Sequence, residues 1–494
     1  MAKSFYGIDL GTTYSCIATI DSDEIVTVIP HALTGELTVP SAVSFDDDGS
    51  ILVGRAAKNQ LGNKPEDTVV FIKREMSNKD YVRRIQGKDY TPVEISSFIL
   101  KELVDKANQK RADEEGLDPI YDVVITVPAY FGTMERTRTE AAGKMAGLNV
   151  LQLINEPTAA ALSYGKKNQA NKTIMVYDLG GGTFDVSIMK IQNGIMDTLA
   201  SHGDHQLGGA DWDRIIVDYA LKQIGTSYDK LTQREQGMMM LAAEETKKTL
   251  TSQDKANLSF SYKGIQNVEI TREDFEDLTA DLIERTMMLV DETMEMAGVT
   301  PQQIDEVLLV GGSTFMPMVK AAVTEKMGKN PKMADPNLAV AKGAALTALQ
   351  SEQGYIGTGI TLGKDKGSRA YGMDCFIPEY NRVMILNIIM RNDDLEIHRV
   401  EEGITTRENN QTGVAFRFYE NESTEKYLDV DDSLELEGKG GKIEWGRPVP
   451  AGTPIDIVVD RDKSGRVRVF AECMGAKGEF ELVTPGAEGL SLNK

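Results

Sequence analysis

Residues 6–20, YGIDLGTTYSCIATI, and residues 175–191, MVYDLGGGTFDVSIMKI, show the same order of features. Each has an apolar run, then a turn with aspartate, glycine and threonine, and then a second run of alternating apolar residues. This pattern predicts two β-hairpins with glycine- and threonine-rich tips. Because the pattern occurs twice, it indicates that the fold contains a duplicated unit.

A second pair of segments repeats in the same two halves. Residues 121–131, YDVVITVPAYF, precede a helical run over Thr133–Met145, and residues 304–318, IDEVLLVGGSTFMPM, precede a helical run through Lys326. Matching element order predicts a duplicated α/β domain with a ligand cleft between its halves. Periodicity predicts further helices over Pro92–Lys110, Glu156–Gly165, Gln233–Leu250, Arg272–Ala297 and Leu338–Gln350.

Composition limits the classes of protein that remain. A chain of 494 residues is long enough for more than one domain, and its formal net charge of −22 argues against a nucleic-acid or anionic-membrane surface. The three cysteines, Cys16, Cys375 and Cys473, are far apart, so neither a disulfide framework nor a zinc site is expected. The N-terminus reads as a strand almost at once, which predicts a cytoplasmic protein without a signal peptide.

The texture of the sequence changes at Ser351. Residues 351–367, SEQGYIGTGITLGKDKG, are glycine-rich, and after them short alternating runs are separated by turn signals. We therefore predict an α/β domain over residues 1–350, a linker over 351–370, a β-sandwich over 371–483 and a tail over 484–494. The sandwich is expected to contain about eight short strands.

The two hairpin tips carry the residues that a phosphate chain requires. Glycine lets the backbone approach a phosphate closely and present several N–H groups to it. Asp9 and Asp178 precede the tips, and two carboxylates across a cleft suit Mg²⁺ beside phosphate oxygens. The alternative for each tip is a turn with no ligand. The phosphate-binding candidates are Gly11, Thr12 and Thr13 in the first tip and Gly180, Gly181, Gly182 and Thr183 in the second.

Five motifs, taken together, resemble the DnaK-type seventy-kilodalton heat-shock chaperone family over Ser4–Gln350. They are YGIDLGTTYSC at 6–16, VITVPAYF at 124–131, INEPTAAALSYG at 154–165, YDLGGGTFDVSI at 177–188 and VLLVGGST at 307–314. The resemblance implies an α/β actin-like ATPase domain, ribonuclease H-like and duplicated, followed by a β-sandwich domain. It also implies ATP or ADP as ligand, with Mg²⁺ and K⁺.

The resemblance assigns roles to particular residues. Lys73, in VVFIKREM, would position the attacking water and neutralise γ-phosphate charge, and Glu156 would help to order that water. Thr183 and Asp185 would lie near the γ-phosphate. The remaining nucleotide contacts would be Tyr14, Gly208, Glu244, Lys247, Lys248, Thr251, Gly311, Gly312, Ser313, Phe315 and Asn337. An ordinary solvated helix face is the alternative for the set from Glu244 to Thr251.

Departures from the family pattern affect both the residues that bind the adenine and the residues that couple the ATPase domain to the β-rich part. Phe315 and Lys248 stand where two arginines usually enclose the adenine, and a phenyl ring can stack on a base instead. Gly132 and Thr133 replace an Asn-Asp pair between Pro128 and Arg136, which match the family's proline switch and its arginine relay. Asn337 replaces a usual aspartate, Gln152 replaces an arginine that docks the J-domain partner in many members, and the acidic, leucine-rich linker is absent.

The β-rich part resembles the family's peptide-binding sandwich most clearly over Ile388–Ser423. Ile404, Val414 and Phe416 would line a groove for an extended apolar peptide, or else belong to the sandwich core. Arg407 stands where the family has a small residue arching over the peptide. The family's helical lid does not follow before Lys494, so the chain is either naturally lidless or part of a longer protein.

Three functions remain open on the sequence. The first is an ATP-dependent molecular chaperone whose partners are unfolded or extended apolar polypeptides, a J-domain co-chaperone and a nucleotide-exchange factor. The second is a nucleotide-dependent scaffold with weak or no ATPase activity. The third is a sugar or small-molecule kinase, since such kinases share the actin fold, although no acceptor-site constellation is evident.

Overall fold

The computed structural model describes residues 4–21, 24–112, 118–165, 170–333, 335–353, 360–436 and 438–482. The chain divides into two compact units. The first unit comprises Met1–Pro128 and Thr139–Gly363, and the second comprises Ala129–Arg138 and Lys364–Lys494. The predicted tail lies outside the described residues, as does part of the predicted linker, so the domain boundaries stay a prediction.

Ten α-helices occur in the described residues, and none of them is long and apolar enough to cross a membrane. They are α1 Arg55–Asn59, α2 Pro92–Arg111, α3 Thr133–Met145, α4 Glu156–Gly165, α5 Gly209–Gln223, α6 Gln233–Leu250, α7 Arg272–Leu278, α8 Ala280–Ala297, α9 Pro317–Met327 and α10 Ala339–Gln353. The predicted helices correspond to these closely, with one exception. The run over Arg272–Ala297 is not one helix, because Thr279 leaves helical dihedrals and its buried hydroxyl donates to the carbonyl of Phe275 at 2.7 Å.

The strands of the first unit precede residue 363. They are β1 Phe5–Asp9, β2 Tyr14–Ile20, β3 Val26–Val28, β4 Val39–Pro40, β5 Ala42–Phe45, β6 Ile51–Val53, β7 Thr68–Val70, β8 Arg83–Ile85, β9 Lys88–Tyr90, β10 Asp122–Val127, β11 Asn149–Asn155, β12 Lys172–Leu179, β13 Phe184–Gln192, β14 Ile195–Asp204, β15 Lys255–Ser261, β16 Ile265–Thr271, β17 Glu306–Val310, β18 Lys332–Met333 and β19 Thr361–Leu362.

The two halves of this unit have corresponding sheets, as the duplication predicts. The first runs β11-β10-β1-β2-β3, and the second runs β18-β17-β12-β13-β14-β19. Each has a hairpin at its centre, β1–β2 or β12–β13, and the first hairpin strand pairs in parallel with β10 or β17. Both predicted hairpins are confirmed. Because the two sheets have corresponding strand orders, the glycine-rich tips of the hairpins lie at equivalent positions.

Close helix packing joins these halves. Helix α10 packs against β1 and against α4. A Cβ atom added at Gly7 would lie 2.1 Å from the amide nitrogen of Ala345, and one at Gly343 would lie 1.8 Å from the carbonyl oxygen of Ala159. The surrounding core is rich in alanine, including Ala159, Ala341 and Ala344. Small residues therefore let these backbones approach closely.

The second unit contains twelve strands in the described residues, more than the predicted eight because several have only two to four residues. Two five-stranded sheets form, β25-β21-β20-β24-β26 and β22-β29-β30-β31-β27, together with the pair β23–β28. The strands are β20 Ala370–Ile377, β21 Arg382–Ile389, β22 Ile397–Thr405, β23 Gln411–Ala415, β24 Phe418–Asn421, β25 Tyr427–Leu428, β26 Leu434–Leu436, β27 Gly438–Gly440, β28 Lys442–Val449, β29 Pro454–Arg461, β30 Val467–Cys473 and β31 Ala476–Leu482.

A buried polar cluster in the second unit surrounds Glu420 on β24. The amide of Thr133 donates to a Glu420 carboxylate oxygen at 3.1 Å and to the Tyr371 hydroxyl oxygen at 3.0 Å. Burial, followed by the charge of Glu135, raises the pKa of Glu420 to about 7, against the attraction of Arg369. The protonated form of Glu420 is therefore favoured in the folded unit relative to the unfolded chain.

Glu420 should make the stability of this unit depend on pH. Since the folded pKa lies near 7 and the unfolded one near 4.5, the folded state holds a proton that the unfolded state has lost between these values. Stability should fall as pH rises through this window, by about 3 kcal/mol in all, and level off above it. Glu420→Gln should remove the decrease, measured by thermal unfolding at about pH 5 and about pH 8. An equal decrease in this variant would contradict the prediction, and Glu408→Gln, at an exposed glutamate outside this cluster, is the matched control.

Candidate nucleotide site

A cavity of about 490 Å³ opens in the first unit where both hairpin tips meet the ends of β17 and α6. The tips interlock. A Cβ atom added at Gly181 would lie 2.1 Å from Thr13 Oγ1, and one at Gly182 would lie 2.2 Å from Thr12 Cγ2. Only residues without side chains fit at these two positions, which explains the glycine run in the second tip.

Internal hydrogen bonds hold both tips. The Ser15 hydroxyl accepts from the amide of Gly11 at 3.1 Å, and the Ser41 hydroxyl donates to the Gly11 carbonyl at 2.7 Å. In the second tip the amide of Gly180 donates to the carbonyl of Thr183 at 3.0 Å. Each turn is therefore shaped before any ligand binds.

Acidic residues and one lysine lie below the tips. Lys73 and Glu156 form a hydrogen-bonded ion pair, and both are buried. Burial, followed by the charge of Glu156, raises the pKa of Asp9 to about 7 and raises the pKa of Asp178 well above its usual value. Lys73 opposes both shifts. The site thus holds more negative charge than one lysine can balance, and added positive charge would stabilise its ionised form.

These carboxylates do not form a ready-made metal cage. No group of three or more histidine, cysteine, aspartate or glutamate side chains with metal-binding geometry occurs in the part of the chain that the structure describes. Asp9 and Asp178 fit Mg²⁺ in a different way, since this ion keeps several waters and is often held by one or two carboxylates together with phosphates. Their buried, mutually repelling charges are the observation that supports this fit.

The far end of the cavity is bordered by a charged network across the cleft. Glu244 on α6 pairs with Lys58 on α1 at 2.5 Å and with Lys248 at 2.9 Å. The Tyr14 hydroxyl donates to Glu244 at 3.0 Å. Burial alone would raise the pKa of Glu244, but the two lysines lower it to about 2. Glu244 is therefore ionised and holds Lys248 within the network.

The end of β17 forms the remaining wall. Gly311 has φ of +85°, and a Cβ atom there would lie 2.3 Å from the Leu179 carbonyl oxygen, so both conformation and space require glycine. The Ser313 hydroxyl donates to the carbonyl of Gly180 at 2.7 Å, which joins this wall to the second tip. The Phe315 side chain is 48% exposed although it lines the cavity, so a planar ligand has an open face to cover.

The structure brings most of the predicted residues together. Those lining the cavity are Asp9, Gly11, Thr12, Thr13, Tyr14, Lys73, Glu156, Asp178, Gly180, Gly181, Thr183, Glu244, Lys247, Lys248, Thr251, Gly311, Gly312, Ser313, Phe315 and Asn337. Gly182, Asp185 and Gly208 do not line it. Asp185 is buried in β13, where its charge raises the pKa of Asp178, and Gly208 packs directly against Gly182.

Several lining residues were not foreseen from the sequence, among them Arg55, Phe71 and Asp213. Asp213 is the most informative. Its carboxylate lies 2.8 Å from the Lys247 ammonium, which also donates to the Gly209 carbonyl at 2.7 Å. Burial raises the pKa of Asp213 to about 6, against the attraction of Lys247. The nearest sequence signal was its place in the first turn and a half of α5, after two glycines.

Comparison with known proteins agrees with this geometry. The sequence model of the family described as "Hsp70 protein" matches residues 5–82 and 77–493. The Chaperone protein DnaK of Thermosipho africanus is 40% identical over 502 residues, which cover 98% of this chain and 80% of the relative. The proteins of the same name from Thermotoga petrophila and Thermosipho melanesiensis are each 39% identical, with the same 98% of this chain covered and 81% and 80% of the relatives.

A cleft with two interlocked phosphate-type turns between duplicated α/β halves defines the class of nucleotide-binding ATPases. The chain belongs to the Hsp70 family and is an ATP-dependent molecular chaperone with ATPase activity. Family membership also implies an actin-like ATPase domain followed by a β-sandwich, nucleotide binding with Mg²⁺, and unfolded polypeptide substrates with co-chaperones. The expected family, function and enzyme class are confirmed.

Proposed function

We propose that ATP is hydrolysed in the cavity of the first unit. The γ-phosphate would lie beside Lys73, Glu156, Asp9 and Asp178. The observation that carries this proposal is the buried Lys73–Glu156 pair beside two carboxylates of raised pKa, below interlocked glycine tips. In the reaction, a water oxygen attacks the γ-phosphorus. The bond between the γ-phosphorus and the oxygen that bridges the β- and γ-phosphates breaks. ADP and inorganic phosphate are the products.

The side chains act mainly by position and charge. The Lys73 ammonium orients the attacking water and offsets negative charge on the transferring group. Glu156 accepts a hydrogen bond from that water while its own ion pair with Lys73 fixes its orientation. Asp185 is proposed to act from behind the site, where its negative charge raises the pKa of Asp178, rather than by touching the nucleotide. Asp9 and Asp178 would hold Mg²⁺, which supplies neutralising charge at the phosphates when bound. K⁺ is proposed as a second cation.

The nucleobase is proposed to stack on Phe315. The exposed face of the Phe315 ring supports this proposal. Lys248, the other residue that replaces a family arginine, pairs with Glu244 and Glu245, which leaves stacking on the base to Phe315. Because stacking contributes about 1–3 kcal/mol, Phe315→Ala should weaken ADP binding about ten- to a hundredfold. Isothermal titration calorimetry would measure this. Tyr121→Ala, an exposed aromatic outside the cavity, is the control, and an unchanged ADP dissociation constant for Phe315→Ala would contradict base stacking.

The second unit is proposed to bind extended apolar polypeptide segments, under control of the nucleotide state of the first. Ile404 and Val414 are half-buried at the edge of the sandwich core and suit a groove. Phe416 is buried within that core, with its ring centroid 6.4 Å from that of Phe480, so we assign it to support of the groove. Arg407 stacks on Phe376 at 4.2 Å. We also propose a J-domain co-chaperone and a nucleotide-exchange factor as partners, and a cytoplasmic location. The proposed domains are the ATPase domain over residues 1–350, the linker over 351–370, the β-sandwich over 371–483 and the tail over 484–494.

The experiment that tests the proposal is ATP turnover with Mg²⁺ and K⁺, with and without an extended apolar peptide. Turnover that the peptide stimulates supports a cleft coupled to the β-rich unit. Turnover that the peptide leaves unchanged contradicts the coupling but not hydrolysis in the cleft. Omission of K⁺, replaced by Na⁺ at equal ionic strength, tests the second cation, and turnover that does not change would remove it from the proposal.

A further inference from the structure

Arg74, next to Lys73, connects the two halves of the first unit without lining the cavity. It belongs to a short 3₁₀ turn, Ile72–Glu75, that follows β7. Its Nε donates to the carbonyl oxygen of Gly182 at 2.8 Å, and its Nη2 lies 2.6 Å from Oδ2 of Asp211 on α5. The guanidinium group thus reaches from the first half to the second phosphate tip and to the helix behind it.

The carbonyl groups of the three glycines in the second tip all accept hydrogen bonds. The amide of Gly209 donates to the carbonyl of Gly180 at 3.0 Å, and the amide of Ala210 donates to that of Gly181 at 2.8 Å. The third carbonyl, of Gly182, receives the Arg74 Nε–H instead. Two of the three carbonyls are therefore held by backbone within the same half, and the third is held by a side chain from the other half.

The orientation of a carbonyl determines where the next amide points. In a trans peptide the C=O and N–H bonds lie on opposite edges of one plane. With the carbonyls of Gly180, Gly181 and Gly182 directed toward α5 and Arg74, the amides of Gly181, Gly182 and Thr183 are directed the other way. A row of such amides is a ready site for phosphate oxygens. Glycine at position 182 has broad conformational freedom, so its peptide would turn easily if the carbonyl were not held.

We infer that Arg74 is a positioning residue for ATP hydrolysis, which holds the Gly182–Thr183 peptide so that the Thr183 amide faces the phosphates. Asp211 supports it, because the same carboxylate oxygen accepts from the Gly208 amide at 2.8 Å and so ties Arg74 to the start of α5. Since Arg74 comes from the other half, the last donor of the tip is oriented only while the two halves are close. This inference rests on the proposed function, because it assumes that phosphate occupies the tips.

Arg74→Met should lower the single-turnover rate of ATP hydrolysis about a hundredfold, as expected for loss of one preorganised donor. ADP binding should weaken by less than about threefold, since the other tip donors remain held by backbone. Arg84→Met removes an exposed arginine that pairs with Asp89, and it should change neither quantity. A purely structural role for Arg74 would lower the melting temperature without this separation of rate from ADP affinity, and that result would overturn the inference.

Arg74→Lys keeps the charge and tests the geometry if the methionine variant does not fold. An ammonium group lacks the planar fork that contacts Gly182 and Asp211 together, so the rate should fall about tenfold with folding retained. A rate equal to that of the unsubstituted protein in Arg74→Lys would overturn the inference. Failure of the proposed function would be distinguishable, because the unsubstituted protein itself would then show no turnover in the same assay.

Discussion

Lys73→Ala is expected to reduce single-turnover ATP hydrolysis by at least about a hundredfold, because it removes a preorganised positive charge from the reacting end of the cavity. The Lys73 side chain is only 5% exposed and pairs with Glu156. Water therefore cannot readily enter this buried position and compensate for the lost positive charge. Asp9 and Asp178, whose pKa values are already raised, would lose the positive charge of Lys73, which opposes their protonation. Hydrolysis would therefore lose both water orientation and charge balance.

A stability measurement and two further variants separate a loss of catalysis from a loss of folding. Removing one partner of a buried pair destabilises a protein by about 3–5 kcal/mol, so the melting temperature of Lys73→Ala must be measured with the rate. Glu156→Gln in the same chain should recover stability, since it neutralises the carboxylate left without its partner, but should not recover the rate. Lys101→Ala removes an exposed lysine paired with Asp105 and serves as the control. Unchanged hydrolysis in Lys73→Ala would refute the assigned role.

Gly343→Val is expected to destabilise the first unit by more than about 4 kcal/mol. Even the first side-chain carbon would lie 1.8 Å from the carbonyl oxygen of Ala159 and 2.7 Å from its Cα, so α4 or α10 must move. Backbone cannot yield as the end of a flexible side chain can. Thermal or urea unfolding would measure the loss, and binding of ADP should weaken with it because both helices support the sheets that carry the tips.

Gly343→Ala provides the sharper comparison. Alanine favours helix over glycine by about 1 kcal/mol, so a position with free space would gain stability from this change. The clash with Ala159 should outweigh that gain, and we expect a lower melting temperature. Gly475→Ala, at a turn with φ of +85° and no atom within 4 Å of the added carbon, isolates the effect of conformation alone. A Gly343→Ala protein as stable as the original would contradict the close approach of α4 and α10.

Local patterns were sufficient where neighbours in sequence make the structure. Helices α3, α4 and α6 begin and end where they were predicted, because caps and periodicity lie within each segment. Prediction was wrong where a buried interaction intervened, as at Thr279, and where strands of two or three residues carry too little alternation to be recognised. The role of Phe416, which lies between β23 and β24, was left open because groove and core residues are both apolar and the sequence does not distinguish them.

By itself, the sequence determined the two hairpins, the duplication, the family and about two thirds of the residues that line the cavity. These are properties of short segments and of their order. The tertiary structure decided which distant groups meet: Lys58 with Glu244 and Arg74 with Gly182 between the two halves, and Lys247 with Asp213 between α6 and α5. Charged and backbone groups far apart in the chain leave no local pattern, because their pairing energy depends on distances and burial that only the folded chain creates.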